Sequence, residues 1–247
     1  MVFAFTSYNG QLIAGGDFLT AGGNPAAGVA AWNGVSWSQI SAGIPYSYPE
    51  VFALTVYNGA LVAGGYILGG MNHLARWDGT SWSALGGGCD NEVQSLTVSG
   101  ANLIAGGYFT HAGGVNASGV ASWNGSAFAQ VGDGTNEAVY ALAASGSDLY
   151  AGGFFTQSAP YAVVDHIAHF DGTFWHSIGG GLDLGDASEP SVEAMVPYSA
   201  GWWRPADSAW QAGSRSTISR TGTAPTGARC SPAWTASSTL SDSTTGR

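Results

Sequence analysis

Apolar residues fall along this chain in short runs closed by Gly, Asn or Asp, and no stretch sustains the i, i+3, i+4 spacing of an amphipathic helix. The pattern is most complete between Val51 and Glu92. Val51 to Tyr57 carries apolar side chains on both alternating faces, Val51 and Ala53 on one and Phe52, Leu54 and Val56 on the other, which predicts an inner strand covered on both sides. Asn58-Gly59 tolerates positive φ at both positions and predicts a type I′ hairpin into a second strand, Ala60 to Tyr66. Gly64-Gly65 interrupts that strand, leaving room for a backbone or a large ring, or marking a bulge. Leu74 to Trp77 is the third predicted strand, Asp78-Gly79 a turn, and Ser81 to Leu85 the fourth, after which Gly86-Gly87-Gly88 releases the chain.

The unit recurs. Copies begin at Val2, Val51, Val93 and Val139, and each valine precedes the alanine of an Ala-Gly-Gly by 12 residues, at Ala14, Ala63, Ala105 and Ala151. A hairpin of fixed register has this constancy, because a one-residue slip would turn every side chain to the opposite face. A second landmark is an aromatic residue followed by Asn or Asp and Gly, at Trp32, Trp77, Trp123 and Phe170, with another aromatic five positions on at Trp37, Trp82, Phe128 and Trp175. Tryptophans in series can form a sugar or cofactor platform. Their recurrence at one place in every copy instead predicts packing between successive sheets.

Between the landmarks the copies vary in length and composition: Phe18 to Asn24, Phe109 to Asn116 and Phe155 to Val163 differ from one another, and copy two is shortened there. Length also varies where copies join, at Ile44 to Glu50 and Leu182 to Ser191. Loops on a rigid frame are where binding is placed.

A period of 42 to 53 residues with four strands per unit predicts an all-β protein, a partial β-propeller of four intact four-stranded blades plus the start of a fifth. The blades are assigned to 2–50, 51–92, 93–138 and 139–191, with a fifth opening at 192–200. The order of apolar strand, Gly-Gly, aromatic-Asp/Asn and Trp resembles kelch-type propeller repeats. The fuller form AGGxFxxAGG followed by WNGxxW is similar to repeat arrays of bacterial secreted and surface proteins, and to those of fungal cell-polarity cortical markers. The resemblance covers about residues 2 to 200, and it implies a fold more than an activity.

Composition narrows the function classes. With 39 glycines, six arginines, no lysine and a net charge of −10, the chain lacks the basic face that nucleic acid requires. An acidic, lysine-free surface of this kind suits an extracellular or high-salt setting, and the expected location is extracellular or at the cell surface. No apolar run is long enough to span a membrane as a helix, so no membrane insertion is expected. No export signal stands at the start. Met1-Val2 occupies the same point of the repeat as Glu50-Val51, which suggests a start inside a longer array, its upstream signal truncated and its open ends prone to aggregate.

Candidate chemistry is sparse. Cys89 and Cys230 are too few for a disulfide framework or a paired-cysteine metal site. The densest polar cluster runs from Asp165 to Asp171 with His176 nearby, but on one strand His166 and His169 would point to opposite faces. Their equivalents in other copies are Gly28, His73 and Gly119, and Ala31, Arg76 and Ser122. Copper-radical oxidases share the kelch-like propeller, and that resemblance would require a cysteine beside a tyrosine with histidine ligands; Cys89 lies in an inter-blade loop. No Gly-x-Ser-x-Gly elbow supports a hydrolase. Sequons at Asn116 and Asn124 carry little weight, since Asn124 belongs to a turn. No catalytic, cofactor-binding or metal residue is assigned, and no cofactor is expected. The expected function is a non-enzymatic, exported or cell-surface module whose partner is a protein or glycan; the alternative is a propeller oxidase or lyase with a metal near the histidines of copy four.

Beyond about Ala200 the pattern collapses: Arg204-Pro205-Ala206 stands where Ala-Gly-Gly belongs, and five of the six arginines follow residue 200. Reading Thr221 to Gly227 from the third base of each preceding codon permits Trp-Asn-Gly-x-Asn-Trp. Residues 201–247 are therefore expected to be a frameshifted, disordered tail.

Overall fold

A computed structural model describes residues 1–41, 43–158, 162–182 and 191–195. Residues 196–247, including the segment expected to be frameshifted, lie outside the described residues.

The first and the last hairpin of each four-stranded sheet are set by their turn chemistry. Asn58 and Gly59 adopt φ of 48° and 73°, the two positive values of a type I′ turn, and close the pair Tyr57↔Ala60. Gly100 and Gly146 stand first in the equivalent turns of copies three and four, as a type II′ turn demands. The outer hairpins use a different device. Asn33, Asp78, Asn124 and Asp171 each accept two backbone N–H groups from two and three residues ahead through one side-chain oxygen, at 2.8–2.9 Å. The glycine that follows each turns the chain at φ near 100°.

These turns build four antiparallel four-stranded sheets, and the described residues contain no helix. The first comprises Val2–Tyr8, Gln11–Gly16, Val29–Trp32 and Trp37–Gln39, and the second Glu50–Tyr57, Ala60–Tyr66, Leu74–Trp77 and Trp82–Ala84. The third comprises Val93–Ser99, Asn102–Gly107, Val120–Trp123 and Phe128–Gln130, and the fourth Val139–Ser145, Asp148–Gly153, Ile167–Phe170 and Trp175–Ser177. Strand order follows the chain in all four. The pairing predicted in the sequence holds, with the fourth strand of copy two one residue shorter at each end.

Successive sheets stack face to face through their first strands, each of which contacts the first strand of the next sheet. The stacking explains the first glycine of each Ala-Gly-Gly. A Cβ there would lie 2.7 Å from Val51 Cγ1 at Gly15, 2.6 Å from Val93 Cγ1 at Gly64, 2.8 Å from Val139 Cγ1 at Gly106 and 2.5 Å from Val192 Cγ1 at Gly152. What approaches is the opening valine of the next copy, not the aromatic ring that was one expectation. Rings take their space elsewhere: a Cβ at Gly86 would collide with Trp123 and Phe128.

Three apolar clusters fill the gaps between neighbouring sheets. Trp77 and Trp82 lie in the first, Trp123 and Phe128 in the second and Trp175 in the third with Phe170 packed against it, so the aromatics of copies two to four are core, whereas Trp32 and Trp37 of copy one are half-buried. Val192 is 1% exposed against Gly152, as Val51, Val93 and Val139 are 0% exposed against theirs. Val2, at the corresponding place of the first sheet, is 47% exposed.

Each pair of first and second strands contains one irregularity. The register slips between Val2 and Ala4, Val51 and Ala53, Val93 and Ser95, and Val139 and Ala141, leaving Phe3, Phe52, Gln94 and Tyr140 as extra bulge residues.

Candidate functional site

The variable segments are not free loops. In copies one, three and four they fold back as two-residue ribbons, Thr20–Ala21 with Asn24–Pro25, His111–Ala112 with Val115–Asn116, and Gln157–Ser158 with Ala162–Val163. Phe109 and Phe155, at their bases, are 1% and 0% exposed and belong to the core. Copy two has no ribbon, and Ile67 fills the same core position at 0% exposure.

The ribbons of copies three and four are also fastened to the connection that precedes their own sheet. Asp90 Oδ1 accepts the backbone N–H groups of Thr110 and His111 at 2.8 and 2.9 Å, and Asp90 Oδ2 accepts the Thr110 hydroxyl at 2.7 Å. His111 Nδ1 lies 3.0 Å from the same oxygen. In the next copy Asn136 Oδ1 accepts the N–H groups of Thr156 and Gln157 at 3.0 and 2.9 Å. Isolated bridges Cys89↔Ala112 and Thr135↔Ser158 complete the two tethers. Partial burial would raise the Asp90 carboxyl, but the donors from His111 and Thr110 outweigh it and hold the group down at about 2.

A cleft of about 370 Å³ opens beside the first tether, lined by Asn72, His73, Cys89, Asp90 and His111 among others. Its chemistry is muted. Burial pushes the Cys89 thiol up to about 12, with Asp90 adding to the effect, which leaves it protonated at neutral pH and a poor nucleophile. Asn72 and His73 stand at φ of 50° and 65°, and Asn72 Nδ2 donates to Gly87 O at 2.9 Å, so the shortened segment is a strained, bonded turn.

The histidines of copy four need one correction. His166 is not on a strand: it sits in the left-handed turn before Ile167–Phe170 at φ 68°, 7% exposed, with Nδ1 3.3 Å from Gly153 O. His73 does the same in copy two, and Gly28 and Gly119 take this conformation in the others. Glycine at this position of the repeat was the available signal for a left-handed backbone. His169 is on the strand, paired across the ladder with Tyr150 and His176, and its Nε2 lies 3.0 Å from Asp148 Oδ1. His176 Nε2 lies 2.8 Å from Asp171 Oδ2. Two backbone N–H groups and His176 hold the Asp171 carboxyl down at about 2. His166 and His169 are thus not brought together, and among the described residues no three His, Cys, Asp or Glu side chains are placed to hold a metal ion.

No family model matches the chain, and no curated protein matches it. Among solved structures, the chain is similar to the computationally designed Ika8 protein at 17% identity and a TM-score of 0.43, over 79% of this chain and 52% of that one. The chain therefore spans about half the length of that protein. No described helix is long and apolar enough to cross a membrane.

Proposed function

We propose that the chain is a non-enzymatic interaction module, exported or displayed at a cell surface, built as blades of a kelch-like β-propeller and recognising a protein or glycan partner. The observation that carries this reading is the contrast between frame and ribbon. The frame repeats the same valine, glycine and aromatic contacts in every copy, whereas the ribbons present different side chains from fixed positions. Leu19, at the base of the first ribbon, and Val115 and Val163, on the other two, are 47%, 41% and 60% exposed, beside the polar Thr20, Asn116 and Gln157. Apolar side chains held out of the core by a folded ribbon, tethered in copies three and four, lose little entropy on binding, because the backbone that carries them is already ordered.

The test is a binding array of surface proteins and glycans probed with the chain and with a Leu19→Ser/Val115→Ser/Val163→Ser variant. Partners that bind the parent and release the variant support the reading. A uniformly negative array, or partners indifferent to the three substitutions, removes its basis.

A further inference from the structure

The β-bulges place a second, different set of side chains at one level of all four sheets. A bulge residue has no partner in the ladder, so its side chain is re-aimed relative to its neighbours. At these positions the copies carry Phe3, Phe52, Gln94 and Tyr140, beside a valine that never changes. The rings meet across sheet boundaries. Phe3 packs edge-on to Phe52 at 5.3 Å between centroids, and Tyr108, which follows the Ala-Gly-Gly of sheet three, meets Tyr140 of sheet four at 5.6 Å with the two hydroxyl oxygens 2.7 Å apart.

The same level carries polar groups. Tyr66 pairs across the ladder with Glu50, the Tyr108 N–H donates to Glu92 O, and the Gln94 amide donates to Glu92 Oε2 at 3.0 Å. Burial, then the Tyr108 hydroxyl, raises the Tyr140 phenol, so Tyr140 remains a neutral donor and acceptor. None of Phe3, Phe52, Tyr66, Gln94, Tyr108 and Tyr140 is fully buried, and Phe3 and Tyr108 are 42% and 44% exposed. The result is a set of partly exposed rings, at one level of four sheets, with hydroxyl, amide and carboxylate groups beside them.

We propose that this bulge row, Phe3, Phe52, Tyr66, Gln94, Tyr108 and Tyr140, binds a neutral polysaccharide. The proposal rests on the interaction-module reading and names a ligand and a surface for it. A pyranose ring presents an apolar C–H face and a rim of hydroxyls, which matches partly exposed aromatic rings beside polar groups. Anionic glycans fit poorly: the sequence has no lysine, Arg76 is the one arginine among the described residues, and the net charge is −10. A row spread over four sheets suits a repeating polymer, since weak subsites on one rigid frame add through effective concentration.

The full 247-residue chain is run by affinity electrophoresis through gels containing β-1,3-glucan, galactomannan, xyloglucan or polygalacturonate, with oligolysine beads as a parallel arm. The expected result is retardation by a neutral polysaccharide and not by polygalacturonate. Phe3→Ala/Tyr108→Ala should weaken it about tenfold or more at unchanged melting temperature, and Val35→Ser, on an outer turn at 85% exposure, should leave it intact. Retardation by no neutral polysaccharide, or retardation unaffected by the double substitution, overturns the proposal. Capture by oligolysine alone assigns a cationic peptide and overturns it equally. If array partners are lost with the ribbon variant while no glycan retards the chain, the row fails and the interaction module stands.

Discussion

Trp82 and Trp175 occupy the same position of the repeat and both are buried, yet only one has its indole N–H satisfied. Trp175 Nε1 donates to Val131 O at 3.1 Å, whereas Trp82 Nε1 is buried without a partner. Phe128 occupies the equivalent place in copy three, so the site accepts a ring with no polar atom. Trp82→Ala should behave as a core truncation and cost about 3–5 kcal/mol. Trp82→Phe discards an unsatisfied donor, while Trp175→Phe removes a hydrogen bond and leaves Val131 O with the Gly134 N–H alone, so the second should be about 1 kcal/mol more destabilising than the first. Chemical denaturation of the three variants checks this, and equal losses for the two phenylalanine variants would show that the Trp82 N–H finds water. The burial of these rings was legible in the sequence because they recur in every copy. The difference between their N–H groups was not, since the acceptor of Trp175 is a backbone carbonyl 44 residues away, and carbonyls carry no sequence signature.

At the scale of elements, the strand order and hairpin registers could be read directly, because turn chemistry and a fixed 12-residue spacing act locally. The ribbons could not. Their tether joins Asp90 to Thr110 and His111, 20 and 21 residues on, and its donors are backbone N–H groups that any residue supplies. The Asp90 carboxyl lies below its ordinary value of about 3.9, so it contributes stability above that value and loses it as pH falls towards about 2. Exchange of the Thr110 and His111 amides should therefore accelerate between about pH 4 and pH 2, beyond the intrinsic trend. Asp90→Asn should keep the tether, as Asn136 does in the next copy, and abolish this acid-dependent acceleration. Amide exchange followed by mass spectrometry reads the effect, and an Asp90→Asn variant that retained it would place the titrating group elsewhere. The turn holding His166 lay within reach of sequence reasoning, since Gly28 and Gly119 mark the same backbone conformation in sister copies, but His166 reads as a strand residue when its own copy is taken alone.

Among the described residues one contact repeats four times: the valine that opens a copy of the repeat, Val51, Val93, Val139 or Val192, enters the space left by the first glycine of the preceding Ala-Gly-Gly. Sequence spacing disclosed both residues but not their meeting, because they belong to different copies and neither side chain is chemically distinctive. The described first sheet shows the contact by contrast, with Val2 at 47% exposure and Val93 at 0%. Val93→Thr, which buries a hydroxyl at nearly constant shape, should cost about 1–3 kcal/mol. Val2→Thr should stay within about 0.5 kcal/mol, and thermal melts of the two distinguish them. The most direct test is a double-mutant cycle on Gly64 and Val93. Gly64→Ala forces a methyl group to within 2.6 Å of Val93 Cγ1, and Val93→Ala removes that carbon. Stacking of sheet on sheet through this pair predicts that the double variant is more stable than the sum of the single losses by at least about 1 kcal/mol. Additivity within about 0.5 kcal/mol would mean that the two residues do not touch, and would contradict the stacked architecture itself.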